Sequence, residues 1–442
     1  MPQTSVQVAV VGGGLAGLFT TSELIRSGVE DILVLEKAPE PGGVIRTIQR
    51  DGYMLEPAAG TLLLPHPHLS PLLERTRVKV RPAEPEAGLR HVYTRGRMVS
   101  LPTSPRAIFA PLVPFTAKLR GALEPFVRTG PGSPDESLDS FLRRRVGSGL
   151  GRMLAWVAAS GVFAGDPTRL SAAACFPSLT ALEEEAGSIV RGGLRRLRHR
   201  SPGSSRPMSH LPEGGMTALA ETLARSLGDR FRGGFEVNSI IRGPSGWLLE
   251  GAEPIRADRV VLAVSPRVAA PLVGGDLGLS LAQSVNAPVV VVGLGGPAGS
   301  VQLPAGFGVI TGPDESFATR GILFESSYAP SRAPEGHHLA KVIAGGAVRP
   351  DVADWGDDQV LETVTKEMTR VLGSDATPSF TEIIRHVPGI PQYQVGHLSW
   401  LGELDRMLAG MPGLHLTGWG YRGVGVAHVA SDAVSVARQI AG

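Results

Sequence analysis

The sequence predicts an α/β protein that is α+β overall. An apolar run followed by a glycine-rich turn occupies residues 6–17, which is typical of a strand–turn–helix unit. Between residues 104 and 206 apolar residues recur at helical spacing, and the alternation typical of strands fades. Strand and helix patterns return after Pro212. These observations predict one domain with a parallel sheet, a second with a mixed sheet, and an inserted helical domain.

The first unit has the residues of a dinucleotide-binding motif. A predicted strand at 6–11 leads into a glycine-rich turn, and a helix is expected to begin near Leu15. Gly12 allows the sharp turn, Gly14 lets the backbone approach a pyrophosphate, and Gly17 lets the helix pack on the sheet. The positive end of the helix then faces the phosphates. The whole turn is Gly12, Gly13, Gly14, Leu15, Ala16 and Gly17.

An acidic residue completes this motif. A second apolar run at 32–35 leads to Glu36, which lies 19 residues beyond Gly17. A carboxylate at this distance accepts hydrogen bonds from the hydroxyl pair of a ribose. Strand, turn, helix, second strand and acid together predict a Rossmann-like domain that binds a dinucleotide.

Two later glycine-rich segments favour FAD over NAD as that dinucleotide. Gly42 and Gly43 allow a close backbone approach beyond the first unit, which suits the larger cofactor; an ordinary turn is the alternative. The segment LHLTGWGYRGVGV at 414–426 precedes a predicted helix at 429–440. The N-terminus of that helix would favour negative charge on a flavin ring.

The same patterns assign residues to three domains. The FAD-binding domain is predicted to comprise 1–80, 207–265 and 400–442. The substrate-binding domain is predicted to comprise 81–103 and 266–399, and the helical domain 104–206. Later strands are expected at 235–242, 257–264, 289–293 and 339–344, with a helix at 358–372.

Composition excludes several classes of protein. The chain has 442 residues, of which 42% are apolar and 19% are charged, as in ordinary globular proteins. A net charge of +2 gives no reason to expect a nucleic-acid partner. A single cysteine, Cys175, rules out an internal disulfide and favours a reducing compartment, and it is expected to be a small buried residue. The histidines lack a matching carboxylate set, so no metal site is expected.

Sequence patterns also bear on localisation. The first strand begins within a few residues of the N-terminus, which leaves no room for a signal peptide, and no apolar run is long enough to cross a bilayer. A cytoplasmic protein is therefore expected, either a monomer or a homodimer. The arginine-rich segment 191–206 predicts attraction to an acidic substrate or to anionic lipid, as a peripheral contact with the inner face of the plasma membrane. A solvated loop is the alternative.

Short segments spread over nearly the whole chain resemble one family. They are LPTSP at 101–105, DES at 135–137, RRRVG at 143–147, GVFAGD at 161–166, LS at 170–171, CFPSL at 175–179, GSIVRG at 187–192, GFG at 306–308, IPQY at 390–393, GH at 396–397 and the glycine-rich segment at 414–426. In this order they resemble the flavin-dependent protoporphyrinogen and coproporphyrinogen oxidases, within the wider amine-oxidase fold.

The resemblance implies FAD bound in extended form. The cofactor would contact the two glycine-rich turns, Glu36 with the residue that follows it, and the 56–61 loop. It would also contact a backbone segment that binds adenine and the glycine-rich segment at 414–426. The implied residues outside the first turn are Glu36, Lys37, Gly43, Val44, Ala58, Ala59, Gly60, Thr61, Val237, Trp419, Val424, Gly425 and Val426.

The resemblance also implies a substrate cavity between the helical domain and the second sheet. Gly161 and Ala164 would line one side of it. Phe307, Gly308, Ile310 and Ile343 would line the other. Arg106 stands where some members carry an arginine that anchors a substrate propionate; an exposed structural arginine is the alternative.

The implied chemistry is loss of hydride from a bridging carbon of a porphyrinogen to the flavin, with dioxygen as the final acceptor. Protoporphyrinogen is the leading substrate and coproporphyrinogen the nearest alternative. An amine or polyene oxidase on the same fold is a further alternative, and a flavin-bearing tetrapyrrole carrier without turnover is another. Two departures from the family pattern motivate the carrier: Ala58-Ala59 replaces a usual Gly-Pro, and Trp419 is bulky beside a flavin.

Overall fold

The computed structural model describes residues 4–102, 110–127, 135–199, 206–374 and 378–442. Its strands, in chain order, are β1 (Thr4–Val11), β2 (Ile32–Leu35), β3 (Ile48–Arg50), β4 (Tyr53–Leu55), β5 (Leu62–Leu64), β6 (Val80–Pro82), β7 (Leu89–Thr94), β8 (Arg97–Pro102), β9 (Met208–Pro212), β10 (Phe231–Arg232), β11 (Ser239–Gly243), β12 (Gly246–Glu250), β13 (Ile255–Leu262), β14 (Asn286–Pro297), β15 (Gly308–Thr311), β16 (Thr319–Leu323), β17 (His337–Gly345), β18 (Phe380–Pro391) and β19 (Leu414–Leu416).

The α-helices of the described residues are, in chain order, α1 (Leu15–Arg26), α2 (Leu69–Arg75), α3 (Phe115–Ala122), α4 (Leu138–Val146), α5 (Ser148–Phe163), α6 (Ala172–Cys175), α7 (Pro177–Ala186), α8 (Ile189–Arg198), α9 (Gly215–Leu227), α10 (Pro266–Val273), α11 (Gly275–Ala282), α12 (Glu325–Tyr328), α13 (Asp357–Leu372), α14 (His397–Ala409) and α15 (Val426–Ala441). None of them combines the length and apolar character that crossing a bilayer requires.

The first sheet has the strand order β10-β2-β1-β13-β12-β11, and β19 also pairs with β13. The pairs among β10, β2, β1, β13 and β19 are parallel, while β11, β12 and β13 pair antiparallel. Strands β1 and β2 are almost continuously apolar because helices cover both faces. Helices α1, α9 and α15 pack on one face, and α10, α11 and α14 on the other.

The second sheet has the order β18-β14-β17-β16-β15-β7-β8, and only the pair of β15 and β7 is parallel among its described strands. Helix α13 covers one face through Val360, Val364 and Met368. The other face is directed toward the helices inserted between β8 and β9. The predicted α/β class, α+β overall, with a Rossmann-like sheet, a mixed sheet and a helical insertion, is therefore confirmed.

The helical insertion is held by local caps and buried charge. The Ser137 side chain accepts a hydrogen bond from the backbone N–H of Ser140 and caps α4. Gly147, at φ 88°, lets the chain turn from α4 into α5. Arg145 is fully buried and forms ion pairs with Glu124 and Glu183, so its charge is neutralised within the insertion.

One predicted strand is wrong in extent. The sequence predicts a strand over 235–242, but β11 begins only at Ser239. The backbone N–H of Phe235 donates to the Glu36 carbonyl, and that of Asn238 donates to the Glu250 carbonyl. Because one bond goes to the residue after β2 and the other to β12, residues 235–238 form an extended loop without a regular ladder. The domain boundaries stay a prediction.

Candidate functional site

The glycine turn after β1 has the predicted geometry for a close approach of two elements. Gly12 has φ 110°, which glycine adopts without a steric penalty. A Cβ placed on Gly17 would lie 2.0 Å from the Gly12 carbonyl oxygen, so only glycine lets α1 start at this distance from the turn. The turn therefore fixes the N-terminus of α1 at the end of β1.

Gly14 differs from Gly17 because the space beside it is open. A Cβ on Gly14 would meet only the Gly42 carbonyl oxygen, at 3.8 Å. No side chain caps the N-terminus of α1 here, and its first-turn N–H groups have no partner within the helix. This open, uncapped and electropositive helix end fits the pyrophosphate of a dinucleotide.

The second glycine turn packs directly against the first. The backbone N–H of Gly42 donates to the Gly13 carbonyl at 2.9 Å, and Gly14 and Gly42 form an isolated parallel bridge. A Cβ on Gly43, which has φ 62°, would lie 3.4 Å from the Gly14 Cα. Val44 beside it is largely exposed. The structure therefore brings both predicted glycine turns to one place.

Glu36 lies at the end of β2 beside the first turn. Its Oε2 accepts a hydrogen bond from the Gly13 N–H at 2.6 Å, and its Oε1 accepts one from the Ala38 N–H at 2.9 Å. Each carboxylate oxygen has a further lone pair, so Glu36 retains the capacity to accept from ribose hydroxyls. Lys37 is exposed and forms a surface ion pair with Glu236 at 2.7 Å. Both ligand roles stay predictions.

The predicted adenine-binding residue lies nearby. Val237 is buried in the extended loop that begins with the hydrogen bond from Phe235 to the Glu36 carbonyl. The side chain of Val237 packs in the core of the first sheet, which leaves its backbone as the part available to a ligand. This arrangement is compatible with adenine recognition, which stays a prediction for this residue.

The C-terminal glycine segment brings a second helix end to the same face. Asp432 of α15 accepts hydrogen bonds from the Thr417 hydroxyl at 2.8 Å and from the Gly418 N–H at 2.9 Å. A Cβ on Gly418 would lie 3.4 Å from the Ala16 Cβ, so this segment rests on α1. Burial raises the pKa of Asp432, an effect that these two hydrogen bonds oppose.

The other predicted flavin contacts cluster around this helix pair. Trp419, Ala58 and Ala59 are half-buried and pack against the apolar cluster that contains Leu15 and Ala16. Val424 and Gly425 precede α15, whose N-terminus has no side-chain cap, and Val426 begins the helix. Gly60 is buried and Thr61 half-buried. The structure thus brings the 56–61 loop, Trp419 and two helix N-termini together, and their contacts with flavin stay predictions.

A buried charge cluster, which sequence reasoning missed, holds the 56–60 loop from behind. Lys341 of β17 donates to the Glu56 carbonyl at 2.8 Å and to the Ala58 carbonyl at 3.3 Å. Arg332 donates to the Gly60 carbonyl, and Glu325 forms ion pairs with both cations. His386 Nε2 lies 3.2 Å from the Pro57 carbonyl oxygen. Two side chains of the second sheet, together with Arg332 from the segment before β17, therefore contact four carbonyls of this loop.

The carboxyl of Glu56 is part of the same cluster. It accepts hydrogen bonds from the Met216 N–H at 3.0 Å and the Thr47 hydroxyl at 3.1 Å. Burial raises the pKa of Glu56 to about 7, against the attraction of Arg332 and Lys341. A charged residue inside the apolar strand around Lys341 is the one sequence signal that could have revealed this cluster.

The predicted substrate residues fall into two groups. A Cβ on Gly161 of α5 would lie 3.1 Å from the Ile310 Cδ1, and Ile310 and Ile343 both lie opposite Gly321 in the sheet. Gly161 is exposed, and both isoleucines are half-buried. These three residues are partly exposed at the edge where α5 packs on the second sheet, and this edge is called the α5–sheet cleft below.

The remaining predicted substrate residues are buried or make other contacts. Ala164 is buried, and its carbonyl accepts a hydrogen bond from the Ala347 N–H at 2.8 Å. Phe307 stacks on Tyr328 with ring centroids 4.6 Å apart, in a separate apolar cluster, and Gly308 beside it is buried. The structure does not bring Phe307 to the α5–sheet cleft. Arg106 lies outside the described residues, so its anchoring role stays a prediction.

Two further observations concern metal binding and the reactivity of the single thiol. In the described part of the chain, no group of three or more His, Cys, Asp or Glu side chains is arranged to hold a metal ion. Cys175 is half-buried, and its thiol donates to the Tyr393 carbonyl at 3.4 Å. Burial raises the pKa of this thiol, which disfavours the nucleophilic thiolate.

Curated relatives match over nearly the whole chain. The chloroplastic protoporphyrinogen oxidase of Oryza sativa subsp. japonica is 28% identical, with 99% of this chain and 88% of that protein covered. The coproporphyrinogen III oxidase of Bacillus subtilis (strain 168) is 26% identical, with 95% and 94% covered. The protoporphyrinogen oxidase of Homo sapiens is 28% identical, with 98% and 97% covered.

Solved structures share the fold. A proposed protoporphyrinogen oxidase from Exiguobacterium sp. 255-15 superposes with a TM-score of 0.83 at 21% identity, covering 99% of each chain. Putrescine oxidase bound to putrescine superposes with a TM-score of 0.72 at 16% identity, again covering 99% of each chain.

A family model places the chain more directly. The model for flavin containing amine oxidoreductases matches residues 15–441, which include the helical insertion, the second sheet and all strands of the first sheet except β1. The open helix end at Gly14 and the two glycine turns fit the FAD that the sequence predicts, so this cofactor prediction is confirmed. The chain therefore belongs to the family of flavin-containing amine oxidoreductases.

Proposed function

We propose that this protein is an FAD-dependent oxidase of porphyrinogens, which converts protoporphyrinogen IX to protoporphyrin IX with dioxygen as electron acceptor. The observation that carries the proposal is the position of the α5–sheet cleft. Strand β17 places Ile343 in this cleft and, two residues away, Lys341 on the carbonyls of the 56–60 loop. Apolar residues of the cleft thus share a strand with the side chain that holds the predicted flavin-binding loop. Relatives named protoporphyrinogen oxidase support this substrate class.

The residues of the cleft suit a reaction in which the cofactor performs the difficult step. Bound FAD would supply a hydride acceptor for a saturated bridging carbon of the substrate, and dioxygen would be reduced to hydrogen peroxide in each of the successive two-electron cycles that full oxidation requires. Gly161, Ile310 and Ile343 carry no ionisable group, so they contribute shape and exclude water. Because the product gains aromaticity, a dedicated strong base is not required.

Porphyrin fluorescence tests the proposal directly. The purified, flavin-loaded protein is mixed in air with protoporphyrinogen IX, and porphyrin emission and hydrogen peroxide are followed against protein-free oxidation. We expect both to rise with protein concentration. A flavin that no porphyrinogen reduces under anaerobic conditions would contradict oxidase activity and support a tetrapyrrole carrier.

A second candidate substrate is coproporphyrinogen III, which carries four propionates rather than two. The Bacillus subtilis relative, named coproporphyrinogen III oxidase, favours it. The ratio of kcat/KM for the two porphyrinogens decides between them. A higher value for coproporphyrinogen III would replace the leading substrate without changing the reaction.

We also propose a peripheral contact of the helical insertion with anionic membranes. Helix α8 exposes Val190, Leu194 and Leu197 on one side and carries arginines along its length. Phe126 is 77% exposed, and the Arg191 guanidinium lies 6.0 Å from its ring centroid. Co-sedimentation with phosphatidylglycerol vesicles, lost in Leu194→Glu, tests this contact; equal pelleting with phosphatidylcholine would contradict it. The cytoplasmic location and the oligomeric state stay predictions.

A further inference from the structure

Arg320 of β16 is a buried cation without a carboxylate partner among the described residues. The residue is 3% exposed, and its Nη2 donates to the Ser160 hydroxyl at 2.9 Å. The guanidinium lies over the Trp156 ring, 4.1 Å from the centroid. Its Nε is buried and has no hydrogen-bond partner in the described structure. Part of the donor capacity of this side chain is therefore unused.

Other buried arginines of the described chain are neutralised. Arg145 forms ion pairs with Glu124 and Glu183, and Arg332 forms one with Glu325. Asp166 attracts Arg320 only at a distance beyond ion-pair contact, and desolvation lowers the pKa of Arg320 to about 10. The group is still a cation near neutral pH, so the fold carries an uncompensated charge at this position.

The position of this charge is the α5–sheet cleft. Ser160, the hydrogen-bond partner of Arg320, directly precedes Gly161 in α5. Gly321, the next residue after Arg320, pairs with Ile310 on one side and Ile343 on the other. The Arg320 side chain therefore contacts α5 one residue before Gly161, and its backbone adjoins the strand position that pairs with both isoleucines.

We propose that Arg320 binds a carboxylate of the substrate at the floor of the α5–sheet cleft. A guanidinium presents paired N–H donors in a plane that matches a carboxylate, and the Trp156 ring holds that plane in place. A bound carboxylate neutralises the buried charge and occupies the unused donors. The inference rests on the proposed function, because propionates are the carboxylates that a porphyrinogen carries.

Methyl esters of the substrate separate this role from a structural one. KM and kcat are measured for protoporphyrinogen IX and its dimethyl ester with the wild type, Arg320→Gln and Arg320→Lys. We expect Arg320→Gln to raise KM for the diacid about tenfold or more with little change in kcat, because a charge-assisted contact is lost. KM for the diester stays nearly constant, and Arg320→Lys recovers part of the loss. Arg152→Gln, an exposed arginine on the same helix α5, is the matched control and leaves both constants unchanged.

Several outcomes would overturn the proposal. One is an equal effect of Arg320→Gln on diacid and diester, since a packing defect does not distinguish them. Equal KM values of the wild-type protein for the diacid and the diester would also overturn it, and this measurement requires no variant. A wild type that oxidises neither substrate contradicts the proposed function instead. In that case Arg320 is tested by binding. The affinities of flavin-loaded wild type and Arg320→Gln for protoporphyrin IX and its dimethyl ester are measured by fluorescence and compared in the same way.

Discussion

Arg332 and Arg320 are buried arginines on two sides of the candidate site. Both are nearly inaccessible to solvent, but their side chains have different partners. Arg332, on the side of the 56–60 loop, is 3% exposed and pairs with Glu325, an attraction that raises its pKa against the effect of burial. Arg320, on the substrate side, is also 3% exposed and has a hydroxyl and an indole ring instead. The charge that the chain neutralises supports the backbone of the 56–60 loop, whereas the unpaired charge of Arg320 is the one proposed above to bind a substrate carboxylate.

Gly17 and Gly14 of the first turn also differ in whether the space beside them is filled or open. The space beside Gly17 is filled by the Gly12 carbonyl, while the space beside Gly14 is open. Gly17 therefore serves packing within the protein, and Gly14 leaves an open space where the cofactor pyrophosphate is predicted to lie. We expect substitutions at occupied and at open positions to have different effects.

The largest expected effect is loss of the cofactor in Gly14→Val. The new side chain meets little of the protein itself, so we expect a folded protein with an unchanged far-ultraviolet circular dichroism spectrum. Its methyl groups fill the space that the pyrophosphate needs, so flavin retention falls by about a hundredfold or more. Flavin absorbance per mole of purified protein measures the result.

Gly17→Ala is the contrasting variant. Its Cβ collides with the backbone of the turn, so we expect reduced soluble yield and a lowered Tm of the apoprotein. A Gly14→Val protein that stays fully yellow would contradict the cofactor position. A Gly17→Ala protein as stable as the wild type would contradict the packing role.

A smaller loss is expected for Lys341→Met. Removing the ammonium leaves Glu325 with one cation fewer and frees the carbonyls of Glu56 and Ala58, which costs about 3–5 kcal/mol of unfolding free energy. Urea denaturation of the holoprotein measures this cost. The exposed Lys366→Met is the control, with a change within about 0.5 kcal/mol. Equal stabilities of the two variants would show that the cluster does not support the loop.

The smallest effect concerns the pH dependence of stability through Glu56. Because burial raises the pKa of Glu56 from 4.5 to about 7, the folded protein binds a proton that the unfolded chain has lost within this range. Stability from this group is therefore present at low pH and falls as pH rises between 4.5 and 7, by at most about 3 kcal/mol. Glu56→Gln removes this decline, and Tm measured across the range checks it. Parallel Tm profiles for the two proteins would contradict the raised pKa.

Local features of the cofactor region could be predicted from sequence. The turn from Gly12 to Gly17 and the acid at Glu36 depend on neighbouring residues and on backbone conformations that only glycine adopts easily, so their pattern is visible in the chain itself. The same holds for α1, which begins at Leu15 as expected. The extent of the strand near Phe235 was mispredicted because its apolar alternation continues through a loop whose backbone bonds go first to Glu36, just after β2, and then to Glu250 of β12.

Contacts made across the sheets could not be predicted. Lys341 meets the Glu56 carbonyl across 285 positions, and Arg320 meets Ser160 across 160. Which side chains meet at such separations depends on strand order and register, which periodicity alone does not specify. Phe307 is a contact that the resemblance implied and the structure does not show. The resemblance grouped Phe307 with Ile310, whereas in the structure its ring stacks on Tyr328.

Strand β17 fixes the distance between the 56–60 loop and the α5–sheet cleft. Lys341 and Ile343 are two residues apart on one strand, roughly 7 Å, so the 56–60 loop that Lys341 holds and the cleft that Ile343 borders cannot shift independently. A slip by one residue would turn both side chains to the opposite face. Under the proposed function, the sheet would set how deeply a macrocycle enters, and the helical insertion could differ between proteins without changing how near the reacting carbon comes to the flavin.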